Sequence, residues 1–543
     1  MRNKPAKAKP TSAQTPKSKI KRTAPEALPR AASQPVRPID HLRIQPENPL
    51  PLFTFETITE EIFADTETPV SVYLKLGGMY SCLFESVEGE ERLSRFSYIG
   101  TEPVAVLTAS VSTVSTVDGK AAIEIRDQKF AALKFAVETA GSVRAGIERS
   151  LSAFANKPPQ PATLAAPMIT SGAFGYLGYD ALHLTEKIPF AKKNDAAGLP
   201  DVLLMFFDTL VIFDNIKRKI FLVANYLNAK DRPNAEQKIN RLRKKIFAPL
   251  KPAQVAFSRE KAERVTSNTT KAAYLEKVRK AKSYIEAGDI FQVQVSQRLM
   301  RRLNAKPFDV YRALRTINPS PYLYYLDLGK VKIIGSSPEL LVRLDAGSQG
   351  KRIVQTRPIA GTAKRGLTPE EDEVNARLLL ADEKERAEHL MLIDLGRNDI
   401  GRVAKTGTVE TTEMMVIEKY SHVMHIVSNV KGVLKENLSA MEAFWSCFPA
   451  GTLTGAPKIR AMEIIYELET EKRGLYGGAV GYFDFNGNLN TAIAIRTMVA
   501  AEGKIYFQAA GGIVADSVPE REFEETMNKM RAGLRAVESL IHK

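Results

Sequence analysis

Cysteine is nearly absent: Cys82 and Cys447 are the two in 543 residues. Two are too few for a disulfide framework or a thiolate metal site, which removes zinc and iron–sulfur chemistry and suits a reducing compartment. Long apolar runs are missing too. No stretch approaches roughly 18 uncharged apolar residues, and no apolar run follows the N-terminal charges, so neither a membrane-spanning helix nor a secretory signal is expected and the chain reads as cytoplasmic. No GxxxxGK[ST] loop occurs, no GxGxxG opens a strand-turn-helix unit, and no GxSxG elbow is found. Nucleotide loops and a Ser-His-Asp hydrolase are thereby set aside. No internal repeat of about 20 to 50 residues is visible.

What is present is ordinary globular material, 44% apolar and 26% charged, enough for a sizeable core. The net charge of +15 looks like a nucleic-acid signature until it is apportioned along the chain. Residues 1–45 hold eleven Lys and Arg against Glu26 and Asp40, a net +9, which leaves +6 for the remainder. This segment is rich in Pro, Ala, Ser and Thr without periodicity, so it reads as a disordered basic tail and nucleic acid is not the expected partner.

From residue 46 the texture is globular and strand-rich. VSVYLKL (70–76) and RFSYIGTEPVAVLTAS (95–110) read as strands, and 202–214 with 218–225 as a hairpin around Asn215. A polar stretch, 226–265, is helical in its middle and a linker at its end, placing a domain boundary near 265. The expected division is therefore 1–45, 46–264 and 265–543. Beyond it, 270–287 repeats apolar residues at helical spacing and stops at Gly288, while 370–395 and 519–541 are the clearest helices. Strands in series, rather than in strict alternation with helices, predict a mixed α/β class with antiparallel sheets.

Chemistry can sit at two acids and four small-residue turns. Glu388 stacks with Leu392 and Leu395 on the edge of an apolar stripe, where a carboxylate needs a partner. In the last helix Phe523, Met527, Met530, Leu534 and Val537 form the buried stripe, and periodicity turns Glu522 and Glu525 toward solvent. The turns PIAGT (358–362), PAGTLTGAP (449–457), YGGAVGY (476–482) and AAGGIVADS (509–517) are interleaved with Arg357, Lys458, Arg496 and Tyr476. Singly each is a tight sheet turn; together they suggest a small acidic metabolite held by guanidinium forks and a phenol. His425 lies in an alternating, strand-like segment, where a lone His is more often a satisfied core or rim residue.

The strings QTRPIAGT (355–362), DEKERAEHLMLIDLGRNDIGRV (382–403), PAGTLTGAPKIRAMEII (449–465), RGLYGGAVGYFDFNGNLNTAIAIRT (473–497) and GGIVADSVPEREFEETMNK (511–529) resemble the chorismate-utilising enzymes, most closely their anthranilate synthase component I branch. The resemblance covers roughly 46–543 and implies large antiparallel sheets packed as a sandwich with helices outside. It also implies chorismate as substrate and Mg²⁺ held by Glu388 and Glu525, against the solvated reading of Glu525. Gly361, Thr362, Tyr476, Arg496, Gly511 and Gly512 match substrate contacts. Ala510 stands where the family commonly has glycine, which would perturb the turn if that position needs positive φ. Glu339 matches the acid that protonates the departing ring hydroxyl, a role needing a raised pKa. His425 matches the histidine linked to pyruvate elimination.

Branches that add water have lysine where this chain has Gln292, and glutamine cannot deprotonate water. The aminodeoxychorismate branch usually has lysine in its PIKGT motif, where this chain has Ala360. The resemblance thus points to anthranilate. CLFESVEG (82–89) and NPSPYL (318–323) resemble a tryptophan-inhibition site, carried by Glu85, Ser86, Pro321, Tyr322 and Leu323, with Phe84 and Leu323 departing from the pattern. Neither cysteine lies in a G-x-C-x-G elbow, so ammonia must come from a separate glutamine amidotransferase subunit, giving a hetero-oligomer, or from free ammonium. An aminodeoxychorismate synthase that dispenses with lysine, a nucleic-acid-associated protein acting through the tail, and a catalytically silent tryptophan-binding regulator remain the rivals.

Overall fold

The computed structural model describes residues 53–63, 65–86, 95–112, 118–125, 140–152, 154–156, 169–188, 194–195, 197–250, 264–346, 350–420 and 423–541. The expected basic tail, 1–45, and the linker at 251–263 lie outside the described residues. The described residues fall within one compact unit.

Val202–Phe207 and Lys219–Tyr226 illustrate the local logic: apolar runs rich in β-branched and aromatic residues pair antiparallel and bury both faces. Among the described residues they build two large sheets, of 13 and 11 strands. Among the described residues every strand pairing is antiparallel except Phe53–Ile62 with Phe154–Asn156; the isolated bridge between Asn194 and Glu471 is parallel too. Phe174, Tyr176 and Phe207 of the second sheet interlock with Ile212, Phe221 and Tyr324 of the first in one apolar cluster between the sheets. The outer face of the first sheet is covered by helices Arg232–Ile246, Pro307–Ile317 and Pro519–Glu538. Helices Glu383–Gly401 and Ala440–Cys447 share the core cluster of the second sheet's strands. The mixed α/β sandwich with outer helices is thus present. Among the described residues, no helix is long and apolar enough to cross a membrane.

Strands from either side of residue 265 share both sheets. In the first, Tyr322–Asp327 pairs with Ser81–Glu85, Leu323 lying opposite Glu85. In the second, Ala479–Asp484 pairs with Gly172–Leu177, Val480 lying opposite Tyr176.

Three local expectations are corrected. VSVYLKL is not a strand but lies in helix Pro69–Leu76: Thr68 and Ser71 form a capping box, Pro69 presets the first turn, and Val72, Tyr73 and Leu76 share the buried face. The alternation of Val70, Val72, Leu74 and Leu76 satisfies either period, and the cap decides. The run 202–214 is two strands, Val202–Phe207 and Thr209–Asp214, which change sheet at buried Asp208. The segment 370–395 is two helices, Pro369–Ala381 and Glu383–Gly401. Asp382 ends the first and caps the second by accepting from Lys384 N (3.0 Å) and Glu385 N (3.1 Å).

Candidate active site

Glu339 sits in the short turn between strands Val331–Ser337 and Leu340–Ala346 and is 7% exposed. Its carboxyl accepts one hydrogen bond, from Thr452 Oγ1 to Oε1 (3.0 Å). Burial disfavours the charged form and pushes its pKa up to about 8, against the smaller lowering by Thr452 and Lys529. A carboxylic acid protonated at neutral pH is the state a proton donor needs.

Lys529 connects this acid to the last helix. Its ammonium pairs with Glu525 (2.6 Å), one turn back, and donates to Ala510 O (3.0 Å), while Arg496 Nη1 donates to Lys529 O (2.6 Å). Arg496, with φ of 51°, is electrostatically coupled to Tyr476, Glu525 and His425. Tyr476 is buried, and burial raises the pKa of its phenol, against a lowering by Arg473. His425 Nδ1 lies 2.8 Å from Gly361 O and 3.1 Å from Thr362 Oγ1. A carbonyl only accepts, so Nδ1 carries the proton and Nε2 is the basic nitrogen. Burial lowers the His425 pKa and keeps the ring neutral. Gly361, at φ of 65°, supplies the turn that aims its carbonyl at the imidazole. Residues far apart along the chain therefore meet in one network.

The turn expected at 509–517 is largely strand Lys504–Ile513, in which Ala510, Gly511 and Gly512 pair with Ser296, Val295 and Gln294. Ala510 is not at positive φ, so alanine fits there without strain. A side chain at Gly511 would meet Glu522 Oε2 at 2.9 Å, and one at Gly512 would meet Gln294 Nε2 at 2.8 Å and Gln292 Nε2 at 3.2 Å. Gln292 thus stands against this strand.

Glu525 is exposed, its side chain at 49%, as periodicity predicts. Glu522, expected in solvent, is buried instead: Ser517 Oγ donates to its Oε1 (2.7 Å), and its Oε2 has no hydrogen-bond partner. Glu388 is half-buried, and its pKa is raised by burial first, then by Glu385, with Glu525 and Glu522 adding to the rise. Among the described residues no three acidic, His or Cys side chains converge tightly enough to cage an ion. Two carboxylates plus substrate and water oxygens are what magnesium takes. The carboxylates of Glu388 and Glu525, the latter paired with Lys529, and the orphaned buried Oε2 of Glu522 are hard oxygen donors of the kind that fit that ion.

Residues 113–535 match the model of the chorismate binding enzyme family. The chain belongs to the chorismate binding enzyme family. "Anthranilate synthase component 1" of Acetivibrio thermocellus is 46% identical over 499 residues, covering 89% of this chain and 95% of the relative. The protein of that name from Pseudomonas aeruginosa is also 46% identical, covering 90% and 96%. The solved anthranilate synthase component I of Streptococcus pneumoniae superposes with a TM-score of 0.69 at 35% identity, covering 87% of this chain and 98% of that one. The menaquinone-specific isochorismate synthase of Escherichia coli, 16% identical with a TM-score of 0.64, shares the fold.

This chorismate-binding chain has a second, larger cavity of about 390 Å³ away from Glu339, at the seam where strands from either side of residue 265 meet. Glu85, Ser86, Pro321, Tyr322 and Leu323 all line it, with Phe84, Phe96 and Val480 among its apolar walls. Ser86 Oγ, Tyr322 Oη and Asn490 Oδ1 are buried there without hydrogen-bond partners. The Glu85 carboxylate is already held by Arg315 (3.1 Å to each oxygen) and by the Tyr311 hydroxyl. Both cysteines are buried, and burial pushes the Cys447 thiol up to about 12 and Cys82 higher still, so neither supplies a thiolate nucleophile.

The sequence reading leaves out Lys529 and Thr452 and places Glu522 in solvent. Lys529 follows Glu525 at i+4, a pairing the helix register alone signals. Thr452 lies within a quoted motif but far from Glu339 in sequence, so nothing local marks it.

Proposed function

We propose that the chain is the chorismate-converting component of an anthranilate synthase, the first committed step toward tryptophan, taking chorismate and ammonia to anthranilate, pyruvate and water. The observation that carries this reading is Glu339, a buried acid neutral up to about pH 8 and coupled to the Lys529 ammonium. Arg496, the Tyr476 phenol and the N–H groups around Gly361, Thr362, Ala510, Gly511 and Gly512 bind and orient the dicarboxylate. Magnesium on Glu388 and Glu525 supplies neutralisation of a substrate carboxylate when bound. Glu339 donates its proton to the departing ring hydroxyl as ammonia adds, and His425 Nε2 takes a proton as pyruvate is eliminated and the ring becomes aromatic. Gln292 is no base for water, and ammonia needs none.

Ammonia comes from glutamine through a separate amidotransferase component; the relatives' name "component 1" and the burial of both thiols support this reading. The reaction is cytoplasmic. Tryptophan occupies the larger cavity, its indole against the apolar walls and its polar groups against Ser86 and Tyr322. A ligand there touches both sheets at their seams and can bias how the halves sit. Incubation with chorismate, Mg²⁺ and ammonium should yield fluorescent anthranilate and one pyruvate per turnover. Accumulation of aminodeoxychorismate without pyruvate would replace this reading by the aminodeoxychorismate one.

A further inference from the structure

Arg473 is 4% exposed. Its guanidinium makes four hydrogen bonds: Nε to Glu469 Oε2 (2.9 Å), Nη2 to Glu469 Oε1 (2.7 Å) and to Gln294 O (2.7 Å), and Nη1 to Leu453 O (2.7 Å). It lies 4.5 Å from the Tyr179 ring centroid and 5.8 Å from that of Tyr476. Glu469 Oε1 in turn accepts from Ser296 N (2.7 Å).

Three of these contacts reach segments that carry candidate-site residues. Leu453 follows Thr452, the donor to Glu339. Gln294 and Ser296 belong to the strand that pairs with Ala510 and Gly512. Tyr476 is the phenol beside Arg496. Surface ion pairs do not make such a junction, and a fully buried one is costly to assemble unless every donor is used. We propose that Arg473, oriented by Glu469, is a positioning residue of the chorismate site, holding the Thr452 loop, the Gln294 strand and the Tyr476 ring in one fixed arrangement. This rests on the chorismate reading given above. Arg473 touches no reacting atom; it acts through Thr452 and Tyr476.

The test is Arg473→Lys in the full chain, assayed with chorismate, Mg²⁺ and ammonium chloride. An ammonium cannot reproduce the planar fork. A displacement of about 1 Å in the walls lowers kcat/KM by about 100-fold, with KM for chorismate raised. Loss of the Thr452 donor removes a contact that lowers the Glu339 pKa, so the basic limb of the pH profile moves to higher pH. Thermal unfolding run alongside separates folding from positioning. A lowered midpoint with kcat, KM and pH limb unchanged per folded molecule overturns the proposal, as does a variant identical to the parent. If Arg473→Lys does not fold, Glu469→Gln carries the same readouts with a smaller effect; collapse of both variants assigns the pair to folding and also overturns it. Failure of the parent chain to consume chorismate would instead sink the chorismate reading.

Discussion

Glu339→Gln tests the neutral acid through folding as well as turnover. In the unfolded chain this carboxyl titrates near 4.5, and in the folded chain burial holds it at about 8. Below pH 4.5 both states carry the proton. Between 4.5 and 8 the folded state binds one proton more than the unfolded state, so stability falls as pH rises, and above the folded value the loss is complete. At about 1.4 kcal/mol per pKa unit the total is on the order of 5 kcal/mol. Glutamine keeps the shape and the acceptor for Thr452 but cannot ionise. The variant should therefore match the parent near pH 5 and exceed it at pH 9 by that order, while losing chorismate turnover for want of a proton to give. Urea unfolding of both proteins at pH 5, 7 and 9 measures it. Subtracting the curves cancels groups common to both, such as Asp484, which burial raises to about 6. Parallel stability curves would mean that Glu339 is ionised in the folded chain and cannot be the donor.

Glu388→Gln and Glu525→Gln should each abolish saturable Mg²⁺ dependence in a metal titration of turnover; intact dependence removes the metal assignment. In the parent, burial and neighbouring acids raise the Glu388 pKa, so the Mg²⁺ concentration for half-maximal activity should climb as the pH is lowered through the acid range. Ser86→Ala should raise the tryptophan concentration for half-inhibition about 10-fold, the worth of one buried hydrogen bond, read by titration calorimetry and inhibition together. Ala510→Gly should cost about 0.5–1 kcal/mol of stability, since this strand position has no need of glycine, and the urea midpoint reports it.

Short-range signals were legible. Thr270 and Gly288 bracket the helix Lys271–Glu286, and Pro519 opens the last helix, because caps and punctuation act over a few residues. The alternation around His425 correctly marks strand Val423–Val433. The motifs that carried the family resemblance were legible for the same reason: each is a contiguous string. Where two periods fit one string, as at 70–76, the cap settled what alternation left open.

What no window of sequence contains is which faces meet. Glu522 and Glu525 share one helix, yet Glu522 is buried under Ser517 and the glycine strand while Glu525 stays open beside Lys529. Asp208 sends one apolar run into two sheets, a choice made by the partners Gly172–Leu177 and Phe96–Gly100 rather than by the run itself. The raised pKa of Glu339 likewise comes from burial among groups far along the chain, against a single donor, Thr452. Composition and period decide helix, strand and which residues are apolar, because those depend on torsions and side-chain size. The cavity, the acid's protonation and the influence of Glu525 on the Glu388 carboxyl depend on desolvation and charge across segments, which exist once the sheets have paired.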